Sequence, residues 1–206
     1  MSSEIKWRFK LAIISSILLI LLEAFWFSIV DVVTVFGMLP LSAMIWLFFI
    51  GCSIASLTGL LEFETAGKSC LIPIAIQSIA LLMVIYIPFT TLWLKADFII
   101  NKEQRNVVVK EVLSGKLVPN VEYNSSSINL GGKYPNLSKG GNDIIIEHHD
   151  NFTYVFFYTF RGILDNYSGY LYVPEGGAPN RFSDLDKTES TEIKHIEDDW
   201  YFVSHH

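Results

Sequence analysis

The stretch Met38–Leu61 (MLPLSAMIWLFFIGCSIASLTGLL) contains no charged residue, and similar apolar runs flank it at Leu11–Val30 (LAIISSILLILLEAFWFSIV) and Cys70–Leu94 (CLIPIAIQSIALLMVIYIPFTTLWL). A helix needs about 20 apolar residues to cross the hydrocarbon core of a bilayer. Each of the three runs is that long. The sequence therefore predicts an integral, multi-pass membrane protein in which residues 1–94 form three transmembrane α-helices that contact membrane lipid.

Residues 95–206 have a different composition, with eleven basic and sixteen acidic side chains. This length suits one small domain. Its acidic balance argues against nucleic acid as a partner, because nucleic-acid binding requires a basic face. Both cysteines, Cys52 and Cys70, belong to the first half, so the second half has no disulfide framework. The chain has no Walker A, G-x-G-x-x-G or G-x-S-x-G motif, and we expect no cofactor.

The basic residues predict an orientation. The N-terminal tail carries Lys6, Arg8 and Lys10, the loop 31–37 carries no basic residue, and the loop 62–69 carries Lys68. Short loops rich in Lys and Arg stay in the cytosol. We therefore expect a cytosolic N-terminus in a plasma or inner membrane, and an extracytoplasmic C-terminal domain after three crossings.

One ionisable residue, Glu23, lies well inside a predicted span. Such residues usually face a helix bundle or a polar cavity and are candidates for function. Counting along the helices places Trp46 and Tyr86 at the same depth. We expect Glu23 to be protonated or to accept a hydrogen bond from one of them. In the alternative, Glu23 lies near the headgroups and the span ends early.

Two further features concern the packing of the spans. A second polar level is expected from Ser15 or Ser16, Ser56 and Gln77. A stripe of small residues on the second span, which allows a close approach of another helix, consists of Gly51, Ala55 and Gly59. The approaching helix is either internal or belongs to another chain, so a homo-oligomer through the second span stays open.

The second half reads as one helix followed by strands. The helix is expected over residues 97–114, with Val107, Val108, Val112 and Leu113 on roughly one face. Strands are expected at Ser127–Leu130, Asp143–His148, Tyr154–Phe160, Gly169–Val173 and Trp200–Val203. The acidic segment Ser183–Asp199 reads as a mobile or helical connector.

The strand Tyr154–Phe160 has large side chains on both faces, with Val155 and Phe157 on one and Tyr154, Phe156, Tyr158 and Phe160 on the other. This is typical of the centre of a sheet that a helix covers. We expect a small α+β domain with an antiparallel sheet. In the alternative, one aromatic face binds a partner or the membrane surface.

The candidates for chemistry are few. Glu147-His148-His149-Asp150 offers four consecutive metal ligands, but neighbours on a strand point to opposite faces. We therefore expect no metal site, and His148 and His149 are the weak candidates for one. Arg161 and Asp165 are four residues apart, which predicts an ion pair closing a turn; Arg161 is alternatively an anion-binding residue.

These observations fix no biochemical function. The leading hypothesis is a non-catalytic binding or accessory protein that presents its extracytoplasmic domain to a protein partner. One alternative is an enzyme at the membrane interface that uses the region of His148, His149 and Arg161. A further alternative is a small transporter or channel subunit that uses Glu23.

Overall fold

A computed structural model of the protein describes residues 3–162, 166–182 and 191–205. The chain divides into two compact units, Met1–Trp93 and Leu94–His206. The first unit contains α1 (Ser3–Ala24), α2 (Trp26–Thr58), the short α3 (Phe63–Ala66) and α4 (Leu71–Tyr86), with 3₁₀ turns at Gly59–Glu62 and Gly67–Cys70.

The first helix hairpin turns at Thr34. Backbone hydrogen bonds from Phe25 N to Leu21 O and from Ile29 N to Phe25 O continue the helical course from α1 into α2. Thr34 then has φ 65° and ψ 168°, which no helix contains. The expected loop 31–37 is therefore helical except at this one residue.

Two segments, Trp26–Glu62 and Gly67–Tyr86, are long and apolar enough to cross a membrane. Only 11% of the apolar part of the first and 22% of the second is buried within the protein. The expected span Leu11–Val30 is not among the described segments that are long and apolar enough to cross a membrane. Its residues 26–30 belong to α2, and α1 carries Lys6, Arg8 and Lys10 at one end and Glu23 at the other.

The third apolar run, expected as the span Cys70–Leu94, is divided between two helices. α4 ends at Tyr86, and Ile87 is extended with φ −85° and ψ 120°. The reason is Pro88, whose ring disfavours the helical conformation of the residue before it. A new helix, α5, begins at Phe89 and continues to Leu113.

The second unit combines α5 with one antiparallel sheet of six strands. The strands are β1 (Ser127–Asn129), β2 (Asp143–His149), β3 (Phe152–Arg161), β4 (Tyr167–Tyr172), β5 (Thr191–Glu197) and β6 (Trp200–His205). Their order across the sheet is β1-β2-β3-β4-β6-β5. The expected α+β class with an antiparallel sheet is thus confirmed.

The sheet is covered on both faces. Val155 and Phe157 of β3 pack with α5, whereas Tyr154 and Phe156 lie in a second cluster on the opposite face with Phe182. The expected alternation along β3 is confirmed up to Tyr158, where a register shift begins. The buried residues of α5 are Phe98, Arg105, Val108, Val109 and Val112.

The predicted buried face of α5 was partly wrong. Val107 and Leu113 are about half exposed, whereas Val109 and Arg105 are buried in their place.

The expectation of a mobile or helical connector at Ser183–Asp199 is also wrong in its second half. Residues 191–197 form β5, the edge strand, and residues 183–190 lie outside the described part. Alternation of Thr191 and Ile193 with charged residues suits an edge strand that faces water.

Candidate functional site

The two adjacent histidines lie at an uncovered edge of the sheet. β1 pairs with β2 only as far as Ile145, and Ile146 N then donates a hydrogen bond to Ser126 O at 2.7 Å. Beyond this point β2 borders an open depression of about 670 Å³. Its lining consists of Pro119, Ser125, Ser126 and the residues 146–149.

The side chains of His148 and His149 have different partners. His148 Nδ1 lies 3.0 Å from Thr153 Oγ1, and His149 Nε2 lies 3.2 Å from Glu147 Oε2. Within residues 3–162, 166–182 and 191–205, no group of three His, Cys, Asp or Glu side chains is placed to hold a metal ion. The chemistry that this arrangement supports is proton transfer through the Glu147–His149 pair.

Arg161 is not among the residues that line the depression. Its Nη1 lies 3.8 Å from Oδ2 of Asp143, and its guanidinium carbon lies 5.3 Å from the centre of the Tyr158 ring. Burial raises the pKa of the Tyr158 phenol, and the Arg161 charge opposes this rise. Asp165 lies outside the described residues, so the Arg161–Asp165 ion pair stays a prediction.

In the first unit, Glu23 lies near the end of α1 and is partly exposed. No hydrogen bond joins it to Tyr86 or Trp46, all three of which are described residues. Tyr86 is 77% exposed, and Trp46 packs edge-on against Phe49 at 6.3 Å between ring centres. Both alternatives for Glu23, inside the span or near the headgroups, therefore stay predictions.

The second polar level is only partly assembled. Gln77 Nε2 donates to Ser15 Oγ at 3.4 Å, which joins α4 to α1. Ser56 instead donates to Cys52 O, one turn earlier on its own helix, at 2.9 Å. The buried Gln77 Oε1 and Ser16 Oγ have no hydrogen-bond partner in the described part of the chain.

The three small residues of α2 have different surroundings. Gly59 is buried, and a Cβ added there would lie 3.1 Å from Nη1 of Arg8. Arg8 Nη2 in turn lies 3.0 Å from Glu62 Oε1. Gly51 is exposed, with open space around its missing Cβ, and Ala55 is partly exposed. A homo-oligomer through this stripe stays a prediction.

Sequence reasoning missed the outer face of α5. Ile99 is 73% exposed, Ile100 75% and Val107 46%. At about 100° per residue, these side chains lie opposite the face that packs on the sheet. Glu103 and Lys110 are exposed on the same outer face. The signal was present in the sequence, because apolar residues occur on both sides of this helix and not on one.

A buried arginine fixes the rotation of α5 against the sheet. Arg105 is 1% exposed, and its Nη2 donates to Asp97 Oδ2 at 2.6 Å. Its Nε donates to Leu137 O at 3.2 Å, and its guanidinium carbon lies 4.5 Å from the centre of the Tyr170 ring. With Arg105 held towards the sheet, Ile99 and Ile100 are held away from it.

No family model, no curated protein and no solved structure matches this chain.

Proposed function

We propose that this is a non-catalytic, membrane-anchored accessory protein whose C-terminal domain binds a protein partner through the outer face of α5. The observation that carries the proposal is the exposure of Ile99 and Ile100 on a helix whose opposite face is already buried. Burying one such side chain stabilises a complex by about 1.5–3 kcal/mol. A helix that is apolar on both sides is typical of one that packs on both sides.

Membrane anchoring is the second part of the proposal. Its support is the low burial of the apolar segments Trp26–Glu62 and Gly67–Tyr86, whose side chains would otherwise face water. The contacts Arg8–Glu62 and Leu19–Phe49 make α1 antiparallel to the part of α2 after Thr34. We therefore propose three crossings of a plasma or inner membrane.

Orientation completes the proposal. Lys6, Arg8 and Lys10 favour a cytosolic N-terminus, and three crossings then give an extracytoplasmic C-terminal domain. A single cysteine at Asn136, introduced after replacing Cys52 and Cys70 by alanine, tests this. A membrane-impermeant maleimide should label that cysteine in intact cells. Labelling only after lysis would overturn the orientation.

The binding role is tested by photo-crosslinking of the full chain in its native membrane. A photoreactive residue at Val107 should give a reproducible protein adduct, because this position borders the proposed surface. The double substitution Ile99→Asp/Ile100→Asp should abolish the adduct. The same photoreactive residue at Glu122, exposed in the loop before β1, is the matched control. Equal adducts from both positions would overturn the proposal.

An enzyme acting at the membrane interface is the second candidate. The observation that favours it is the Glu147–His149 contact at 3.2 Å beside Ser125 and Ser126 in one open depression. Replacing His149 by Gln should abolish function under this hypothesis while the domain stays folded. Under the binding hypothesis the same variant should keep full function.

A further inference from the structure

We infer that the second unit pairs with a second copy of itself through the free edge of β5, with Ile193 of one copy opposite Ile193 of the other. The strand order β1-β2-β3-β4-β6-β5 places β5 at one end of the sheet, and among the described strands only β6 pairs with it. The outward backbone groups of an edge strand are a template for a further strand. This surface is distinct from the outer face of α5, and the inference does not depend on the proposed function.

The regular part of β5 has Ile193 at its centre. Residues Thr191–His195 pair with β6 without interruption, and the register shifts between His195 and Glu197. A two-fold axis that joins two identical edge strands makes them antiparallel, and each contact then occurs twice, once in each direction. Pairing centred on Ile193 therefore uses the whole regular segment of both copies.

The charges of β5 favour the same register. Glu192 and Lys194 are both exposed, and neither forms an ion pair with a described side chain. With Ile193 at the centre, Glu192 of each copy lies opposite Lys194 of the other, which gives two attractive pairs. Centring the pairing on Glu192 or on Lys194 would instead place like charges opposite each other. The edge strand is therefore its own complement in one register and repels itself in the neighbouring ones.

The other face of β5 supplies an apolar contact. Side chains alternate along a strand, so Ile193 lies on the face opposite to the two charges. There it is partly buried against the cluster that contains Tyr154 and Phe156. In the pairing, Ile193 meets Ile193 of the second copy, and Thr191 meets His195. The apolar pair thus covers side-chain surface that stays exposed in a single copy.

The opposite edge of the sheet offers a poorer match to β5. Its strand β1 consists of Ser127–Asn129 and has no charged residue to face Glu192 or Lys194. Pairing of β5 with β1 of the next copy would also leave a free edge at each end, so that association would continue without closing. Pairing of β5 with β5 is closed by the two-fold axis, and the expected product is a dimer.

The first test is disulfide formation in the full chain within its native membrane, with Cys52 and Cys70 replaced by alanine. Opposite residues of an antiparallel pair have Cα atoms about 4.5–5.5 Å apart, which suits a disulfide. Ile193→Cys should therefore give a covalent dimer when copper phenanthroline is added as oxidant. Thr191→Cys is the control and should give none, because an offset of four residues separates its two copies by about 14 Å. Equal dimer from both variants, or none from Ile193→Cys, overturns the inference.

The second test measures how fast the Ile193→Cys dimer forms when the charges of β5 are changed. Adding Glu192→Lys or Lys194→Glu alone should lower the rate about tenfold, because two attractive pairs become repulsive. Both substitutions in one chain restore the complementarity and should restore the rate. Glu122→Lys, in the loop before β1, is the matched control and should leave the rate unchanged.

Coexpression of the two single charge variants with different tags completes the test. Mixed dimers should form faster than either variant forms dimers with itself, because the strand with two basic residues then faces the strand with two acidic ones. An unchanged rate in the single variants, or no recovery in the combined variant, overturns the inference. Crosslinking from Val107 reports on a different surface, so the proposed function stands or fails independently of these results.

Discussion

Arg105 Nη2 donates a hydrogen bond to Asp97 Oδ2 at 2.6 Å, and the two residues lie eight positions apart on one helix. The Arg105 side chain is 1% exposed and the Asp97 side chain 11%. Withdrawal of both charges from water is tolerated because they meet each other, and because the Leu137 carbonyl accepts further hydrogen bonds from the guanidinium. This ion pair holds α5 in the rotation that exposes Ile99.

Arg105→Met should lower the free energy of unfolding of the second unit by about 3–5 kcal/mol, because it leaves the Asp97 carboxylate buried without its partner. Hydrogen exchange of the β4 amides, in the full chain in lipid nanodiscs, measures this loss. The double variant Asp97→Leu/Arg105→Met removes both charges and should lose much less. A single variant as stable as the double would contradict the ion-pair account.

Tyr170 should make the domain sensitive to alkaline pH. Its hydroxyl donates to Leu94 O at 2.7 Å, and burial, together with the nearby Asp97 charge, raises the pKa of the phenol while Arg105 opposes the rise. A phenol in the unfolded chain ionises near pH 10. The stability that Tyr170 contributes is therefore complete below about pH 10 and is lost as the pH rises above it.

Tyr170→Phe is the variant that checks this. It should cost about 1 kcal/mol at neutral pH through the lost hydrogen bond. It should also flatten the fall in unfolding free energy above about pH 10. Denaturation of the full chain at a series of pH values gives both quantities. An unchanged alkaline slope in the variant would mean that Tyr170 ionises normally in the folded protein.

Gly169 should not tolerate a side chain. It lies in β4 opposite Tyr158, where an added Cβ would overlap the Phe157 carbonyl oxygen and the Phe156 ring. Gly169→Ala should therefore cost about 3 kcal/mol or more, the upper end for overpacking. Gly132→Ala is the control, because open space surrounds the position of an added Cβ at Gly132. Thermal unfolding of the two full-length variants compares their melting temperatures. Equal melting temperatures would contradict the close approach of the Phe157 carbonyl and the Phe156 ring to Gly169.

Gly59 and Gly51 provide a matched pair in α2. Gly59→Leu should displace Arg8 from Glu62 and destabilise the first unit by about 1–3 kcal/mol. Gly51→Leu should change stability by less than about 0.5 kcal/mol, because open space surrounds that position. Unfolding of the two variants in the same detergent compares them. If Gly51→Leu instead abolished self-association, the small-residue stripe would be a contact between copies.

Glu23→Gln should leave insertion and stability unchanged, since the Glu23 side chain is partly exposed and makes no hydrogen bond to Tyr86 or Trp46. Protease protection of the full chain in vesicles measures insertion. A proton-coupled transport role predicts the opposite result, namely loss of function with insertion intact. That loss would favour the transporter or channel hypothesis over the accessory role.

Local patterns explain why most of the domain was predictable. Five of the six strands were expected, and four of these contain runs of β-branched or aromatic residues. β3 places Val155 and Tyr154 on opposite faces, as its alternation requires. β5 was missed because its Glu192 and Lys194 resemble a solvated connector, whereas they mark an edge strand. The hairpin at Thr34 was expected near its place, but the expected open loop reduced to one non-helical residue.

The candidate site was less predictable, because a sequence pattern does not state which side of a helix meets a sheet. Hydropathy favoured Val107 and Leu113 for the buried side of α5 and gave no reason to bury Arg105. The depression beside His148 and His149 depends on where β1 stops, which in turn depends on the register between Ser127 and Ile145.

The sequence alone determined the apolar segments long enough for a membrane, the antiparallel sheet and the absence of cysteine from the second unit. Those properties depend on the length and alternation of neighbouring residues. Only the tertiary structure decided that Arg105 is buried while Ile99 is exposed. A buried guanidinium requires the Asp97 carboxylate, the Leu137 carbonyl and the Tyr170 ring around it, and these groups, distant in sequence, meet only when the domain is folded.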